Sequence, residues 1–322
     1  MPGEALLPLA VLAILAWWWL WVGRDPRPGT IVPTWRPPEG IRPGPAGALV
    51  DQRADAGDVL ATILDLARRG WFTIVESHPS GVPARGTEDA AIARALLEAT
   101  GAWETEWRFV RTEKSAAGLD PYEGAVLVAI FGDAKEASAR ALKATFPAHV
   151  PGIRAALYND LLRKGLFLHS PDRSRREWVA LAAAVAVAGV LAGVWLDRWP
   201  LALALLASAG IVALFARWMP VPTRRGAAMR DRLLGLREYI RRAEASELEF
   251  RHAPQKSPAL FDEILPWAIA LDVSDLWLAE FRALLPDTPP WYAREGASEP
   301  TSFTLELGVF LGATLRTIAS AP

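Results

Sequence analysis

The chain has 322 residues, 52% of them hydrophobic, with 15 Trp and a mean hydropathy of +0.16, more apolar than a soluble domain usually hides, so the composition points to a membrane. Its 35 Lys and Arg against 36 Asp and Glu leave a net charge of -1, which excludes a global positive field for gathering nucleic acid or acidic ligands. The absence of Cys removes disulfides, thiolate nucleophiles, iron–sulfur clusters and cysteine zinc sites. The four His (His78, His149, His169, His252) form no HExxH pair, so neither a metal nor a cofactor is expected.

Three apolar stretches read as transmembrane helices. Ala5 to Gly23 is an uncharged run of 19 residues, against the roughly 20 that a bilayer requires. Glu4 in place of a basic n-region, and Trp17, Trp18, Trp19 and Trp21 at the far end, argue for an anchor rather than a cleaved signal peptide. Trp178 to Leu196 is a second uncharged run of 19, and after Asp197 and Arg198 comes a third, Trp199 to Ala216, of 18. These two form a hairpin whose Trp residues mark the water interfaces. Gly189 and Gly193 make a GxxxG in its first arm, a spacing that lets helix backbones approach closely and is read as possible helix packing. No ionisable side chain lies inside any span, which disfavours transport by this chain alone.

Basic residues near the ends of the spans set an orientation. Arg24, Arg27, Arg36 and Arg42 follow the first span, while Arg198 alone marks the hairpin turn. Clusters at Arg163 to Arg176 and Arg217 to Arg232 flank the hairpin base. The N-terminus and the turn are therefore expected outside, and residues 24–177 and 217 onward inside.

Residues 24–46 are rich in proline (Pro26, Pro28, Pro33, Pro37, Pro38, Pro43, Pro45) and read as a stiff, non-helical juxtamembrane linker. Beyond it, Asp58 to Arg69 has helical spacing, Gly70 stops the helix, and Trp71 to Val75 reads as strand. The same grammar returns at Ile153 to Lys164, Gly165 and Leu166 to His169, and "DLARRGWF" at 65–72 aligns with "DLLRKGLF" at 160–167. Two copies of one module follow from this, at 47–114 (with an insertion containing a helix at Glu88 to Ala99) and at 115–177. Upstream helices are expected at Pro43 to Asp51, Tyr122 to Phe131 and Glu136 to Phe146, and the strand at 71–75 is expected to pair with Trp107 to Thr112. Helices followed by a two-stranded ribbon describe a winged-helix-like module. Residues 24–177 hold 21 Lys and Arg against 20 Asp and Glu, no footprint for a phosphate backbone, so no nucleic acid is expected as partner.

The remaining part, 221–298, reads as helical, with a long polar helix at Ala227 to Phe250 and aromatic anchors in "LPWAIAL" at 265–271 and "PPWY" at 289–292. The tail 299–322 is apolar between Leu307 and Leu315 but too short to span, and reads as a surface-lying or docked helix. The expected fold is thus a mainly α integral membrane protein with three transmembrane helices (5–23, 178–196, 199–216) and cytosolic α+β winged-helix-like modules.

No phosphate-binding, dinucleotide, serine-elbow or calcium-loop pattern occurs. The pieces Gly23-Arg24-Asp25-Pro26, Pro37-Pro38-Glu39-Gly40, "LDLARRG" at 64–70 (with Asp65, Arg68 and Gly70) and "LPWAIAL" at 265–271 (with Pro266 and Trp267), followed by Trp277 and Phe281, come in an order that covers nearly the whole chain. Together they resemble domain of unknown function 2207, the YciQ-like predicted membrane proteins. The resemblance implies a multi-pass protein of a prokaryotic cytoplasmic membrane and supplies no catalytic residues. Members of that group usually begin with a signal peptide and an extracytoplasmic β-rich domain, so a truncated or shortened member is the expectation. The leading functional expectation is a membrane-anchored scaffold or regulator, not an enzyme, with the lipid bilayer and an unidentified protein as partners and no identifiable small-molecule ligand. A membrane-tethered DNA-binding regulator and an unrecognised membrane enzyme are the alternatives.

Overall fold

The computed structural model describes residues 2–23, 31–77, 106–218, 221–242, 255–282, 284, 288–295 and 303–321. These are mainly helical, with one small sheet. The chain divides into two compact units: the first comprises Met1–Ile31, Asp51–Arg53 and Leu161–Asp231, and the second Val32–Val50, Ala54–Asp160 and Arg232–Pro322.

In the second unit, α2 (Pro43–Val50) and α3 (Ala56–Arg68) come first. Pro43 and Pro45 thus belong to the helix expected from Pro43, and the linker expected to run to 46 ends before it, because in a first turn the backbone N–H that proline lacks has no partner to lose. α3 starts on a capping box: Asp55 Oδ1 accepts from the N–H groups of Gly57 (2.8 Å) and Asp58 (3.2 Å), and Asp58 Oδ2 accepts from Asp55 N–H (3.0 Å). Its residues from Asp58 to Ala67 are all buried. Helix α2 approaches it through Gly44 and Gly47, where an added Cβ would fall 2.1 Å from Thr62 Oγ1 and 1.9 Å from Asp58 Oδ1.

The strands β1 (Phe72–Ser77) and β2 (Glu106–Arg111) pair, as expected for 71–75 with 107–112, and do so antiparallel with Phe72 opposite Arg111. The ribbon is, however, part of a four-stranded sheet of order β3-β2-β1-β4. β3 (Glu136–Ser138) adds antiparallel to β2, and β4 (Tyr292–Glu295) adds parallel to β1. The sheet therefore crosses the expected boundary at residue 114 and takes in the C-terminal part, a correction to the picture of a self-contained two-stranded wing. Period alone could not reveal it, since β3 and β4 are three and four residues long.

Two helices replace three expected ones between 121 and 163. α4 (Pro121–Phe131) lies where predicted, but Glu136 opens β3 and a single α5 (Ala139–Arg163) runs through Pro147 and Pro151. After the hairpin, α8 (Arg224–Arg242) is the long polar helix; the expected helix at Glu88 to Ala99 and the stretch 243–250 lie outside the described residues. The "LPWAIAL" segment ends α9 (Pro258–Ala270), which packs on α2 and α3, and α10 (Ser274–Glu280) follows. In the tail, α11 (Phe303–Ala319) is a docked helix, with Phe303, Leu307, Phe310 and Ile318 buried. Aromatic rings knit the core beside the sheet: Phe72 meets Phe109 and Phe131 edge-on, both at 5.8 Å, and Trp107 meets Phe310 at 5.6 Å.

The first unit contains α1 (Pro2–Trp18), continued by a π-helical turn (Trp19–Gly23), and the antiparallel pair α6 (Pro171–Leu196) and α7 (Trp199–Phe215). Among the described helices, α6 is long and apolar enough to cross a membrane; Leu6–Trp21 and Trp199–Phe215 are shorter apolar helices. At 1.5 Å per residue the 17 residues of α7 span about 26 Å, slightly less than a hydrocarbon core of about 30 Å.

Candidate functional site

The helices of the first unit are packed the opposite way round from a soluble core. Mostly small residues lie inside (Ala182, Gly189, Ala192 and Gly193 of α6; Ala202, Ala204, Ser208 and Ala209 of α7, joined by Val212). Large ones face outward, with Val194 65%, Trp195 80% and Leu203 66% exposed. Close helix contact through small residues is how helices associate when the surrounding solvent is as apolar as leucine. Gly189 and Gly193 form that contact: an added Cβ would lie 3.2 Å from the Ala202 carbonyl oxygen at the first, and 3.2 Å from the Trp199 ring and from Ala202 Cβ at the second. α1 joins through Leu15 and Val11, packed with Trp178, Ala182, Ile211, Val212 and Phe215. Its Glu4 pairs with Arg198 in the hairpin turn, so the start of α1 and the turn share one end of the bundle.

The other end of the hairpin is closed by a clamp that occurs twice in the molecule. Gly165 stops α5 with φ +67°, and the Thr223 hydroxyl donates towards the carbonyls of Gly165 (2.8 Å) and Leu166 (3.2 Å), while Thr223 N–H donates to Leu166 O (2.9 Å). In the first copy Gly70 stops α3 with φ +79°, the Thr112 hydroxyl donates towards Gly70 O (2.7 Å) and Trp71 O (3.0 Å), and Thr112 N–H donates to Trp71 O (3.1 Å). Glycine is favoured at both stops because a Cβ disfavours the left-handed region. Phe72 faces Arg111 in the first copy and Phe167 faces Pro222 in the second. The second copy therefore extends beyond 115–177, the bounds expected from sequence. Its return strand is reduced to an isolated bridge at Pro222, and the whole hairpin lies between the halves of the clamp. Proline, lacking an N–H, cannot extend the ladder.

The motif residues in the second unit form an ion-paired polar network. Asp65, buried in α3, accepts from Arg68 Nη2 (3.2 Å) and is ion-paired with Arg69 Nε (2.9 Å), whose N–H donates to the Asp65 carbonyl oxygen (3.4 Å); Arg69 also pairs with buried Glu123 at the start of α4. Glu123 Oε2 accepts in turn from Asp120 N–H (2.9 Å). Lys114 Nζ donates to Arg69 O (2.8 Å) and lies over the Trp71 ring. Burial, and then the surrounding carboxylates beginning with Glu123, push the Tyr122 hydroxyl far up, so it stays a neutral phenol. Asp262 of α9 is pushed up to about 6 by burial, opposed by Trp291 and Arg68 beside it. A second network joins the sheet to α11: Tyr292 Oη donates to buried Glu76 (2.9 Å) and accepts from Trp107 Nε1 (3.2 Å), while Arg294 reaches Glu76 and pairs with Glu306. Burial, then Glu76, pushes the Tyr292 phenol far up as well.

Of the other motif positions, Gly23 ends the π turn, and Arg24, Asp25 and Pro26 lie outside the described residues. Pro37 and Pro38 precede α2, Pro38 buried; Pro266 and Trp267 are buried in α9. Sequence reasoning passed over Arg69, Glu123, Thr112 and Thr223. The two threonines had a signal, V-x-T at 110–112 and again at 221–223. Among the described residues no group of three or more His, Asp or Glu is placed to hold a metal. One shallow cleft of about 270 Å³, lined by Lys143, Ala313, Arg316, Thr317 and Ser320, lies against α11.

With this geometry in view, the match to known families is direct: residues 32–281 match the C-terminal domain of a family described as predicted membrane protein (DUF2207). The chain belongs to the DUF2207 family. The matched stretch holds both clamps, the hairpin and α9, while α1, β4 and α11 lie beyond it. No curated protein and no solved structure matches the chain.

Proposed function

We propose that this DUF2207 protein is a multi-pass, membrane-anchored scaffold or regulator of a prokaryotic cytoplasmic membrane, with no catalysis of its own, whose cytosolic modules bind a protein partner. The N-terminus and the hairpin turn lie outside, and residues 24–177 and 217 onward inside. The observation that carries this reading is the bundle with mostly small residues within and large apolar residues without, an exterior suited to lipid. The Glu4–Arg198 pair supports the orientation, since it sets the N-terminus at the same end as the turn that the basic residues assign to the outside. The scaffold role is supported by the ion pairing of Asp65 and Glu123, which leaves these buried carboxylates committed to structure. Reporter fusions after Pro45, at Asp197 and after Gly296 test the reading: inside, outside, inside is expected, and an outside signal after Gly296 contradicts it. Pull-down of the full-length protein in mild detergent tests the partner, and recovery of the protein alone would contradict the scaffold role.

A further inference from the structure

We propose that the arginine-rich base of the hairpin bundle is a binding surface for anionic phospholipid headgroups of the leaflet it faces. The inference rests on the membrane placement of the bundle proposed above, and adds to it a lipid chemistry. Residues 161–177 and 217–231 hold nine Lys and Arg against three Asp and Glu, in a chain whose net charge is -1. All of these residues belong to the first unit. Three features gather them at one end. The clamp from Thr223 to Gly165 and Leu166 brings the end of α5 to the start of α8. Phe167 pairs with Pro222. Trp178 packs in one cluster with Phe215, so Arg173, Arg175 and Arg176 at the start of α6 lie at the same end as Arg217.

Eight of the nine basic residues are arginine, whose planar fork matches phosphate oxygens in pairs where lysine offers a point charge. Arg173 and Arg176 are tied to Glu177 and Asp172 along α6, while Arg217, Arg224 and Arg225 are exposed. The exposed Trp218 adjoins Arg217, the setting in which an indole settles among headgroups. The opposite end of the bundle carries Glu4, Asp197 and Arg198, with no cationic surplus. Apolar exterior and cationic collar are continuous along α6, so a lipid whose chains lie on the former presents its phosphate to the latter.

The test uses full-length protein in phosphatidylcholine bilayers doped with brominated phosphatidylglycerol or brominated phosphatidylcholine, with tryptophan quenching reporting relative association. Each near-surface arginine contributes about fivefold at low salt, so phosphatidylglycerol is expected to be favoured by between about fivefold, if one arginine acts, and about a hundredfold, if all three do. The ratio is expected to fall towards one in the Arg217→Gln/Arg224→Gln/Arg225→Gln variant, to be retained in part when the same three are changed to Lys, which keeps the charge but not the paired bonds, and to decline with rising ionic strength. A ratio near one in the unmodified protein, an unchanged ratio in the glutamine variant, or a salt-independent ratio overturns the proposal. Loss of the preference on adding inorganic phosphate at constant ionic strength also overturns it, by assigning the surface to a soluble anion. If the glutamine variant fails to fold, the salt titration of the unmodified protein decides. Reversed topology in the reporter fusions with the lipid preference intact would instead sink the orientation and leave the surface standing.

Discussion

The two copies of the helix–glycine–strand module close on the same hydrogen bonds and diverge in what they enclose. In the first, Gly70 and Thr112 are 42 residues apart and the return strand is a full partner in a four-stranded sheet. In the second, Gly165 and Thr223 are 58 residues apart, the return strand is a single bridge, and the apolar hairpin fills the interval. Thr223 also accepts from Gly226 N–H (3.0 Å) and so caps α8 directly, whereas in the first copy eight residues separate Thr112 from α4. The comparison teaches that one local device serves two ends: extended into a sheet it builds a core, and reduced to a clamp it fastens an apolar helical hairpin.

The largest predicted effect sharpens the first copy. Arg69→Met would leave buried Asp65 and Glu123 without their shared cation, at a cost of about 3–5 kcal/mol. Thermal unfolding in detergent, followed by tryptophan fluorescence, should show the loss; a midpoint unchanged by the substitution would mean the network is ornamental. Gly226→Ala attacks the second copy, because its Cβ would fall 2.1 Å from the Leu166 carbonyl oxygen. Backbone cannot yield as a side chain can, so the clamp should loosen by about 1–3 kcal/mol and proteolysis between Leu166 and Thr223 should rise.

The matched pair Thr112→Val and Thr223→Val breaks the comparison directly. Each loses the hydroxyl bonds of its clamp, worth about 1 kcal/mol, and the second also loses a helix cap worth about 1 kcal/mol. Equal losses on unfolding would deny Thr223 its double role. The smallest effect concerns Asp262, whose folded pKa of about 6 lies above its ordinary 3.8. A carboxyl raised on folding favours the folded state below the lower value, and that contribution is lost as pH rises through the upper one. Asp262→Asn should therefore flatten the fall in stability between about pH 4 and 6 and raise stability at neutral pH by about 1 kcal/mol, after allowance for partial solvent screening. A steeper fall in the variant would reverse the sign of this argument.

What the sequence made legible follows the strength of local physics. The uncharged runs, the glycine stops at 70 and 165, and the pairing of 72–77 with 106–111 could be read because periodicity, punctuation and the repeat act within short windows. β3 and β4 could not, being short strands whose pairing is decided by the sheet they join. The helix from Pro43 was legible although its prolines end the stretch read as linker, because a first turn tolerates proline. At the clamps, Gly70 and Gly165 stood out while Thr112 and Thr223 did not, since a threonine acquires its role only from carbonyls 42 and 58 residues earlier.

The central claim is that the hairpin and α1 lie in a bilayer with the turn and the N-terminus on one side. The chain has no Cys, so single cysteines can be placed without background and labelled with a membrane-impermeant maleimide in intact cells. Gly3→Cys and Asp197→Cys should label in intact cells, and Ser257→Cys and Ser320→Cys only after permeabilisation. Labelling of Ser257→Cys or Ser320→Cys in intact cells, or protection of Asp197→Cys until the membrane is opened, would contradict the account.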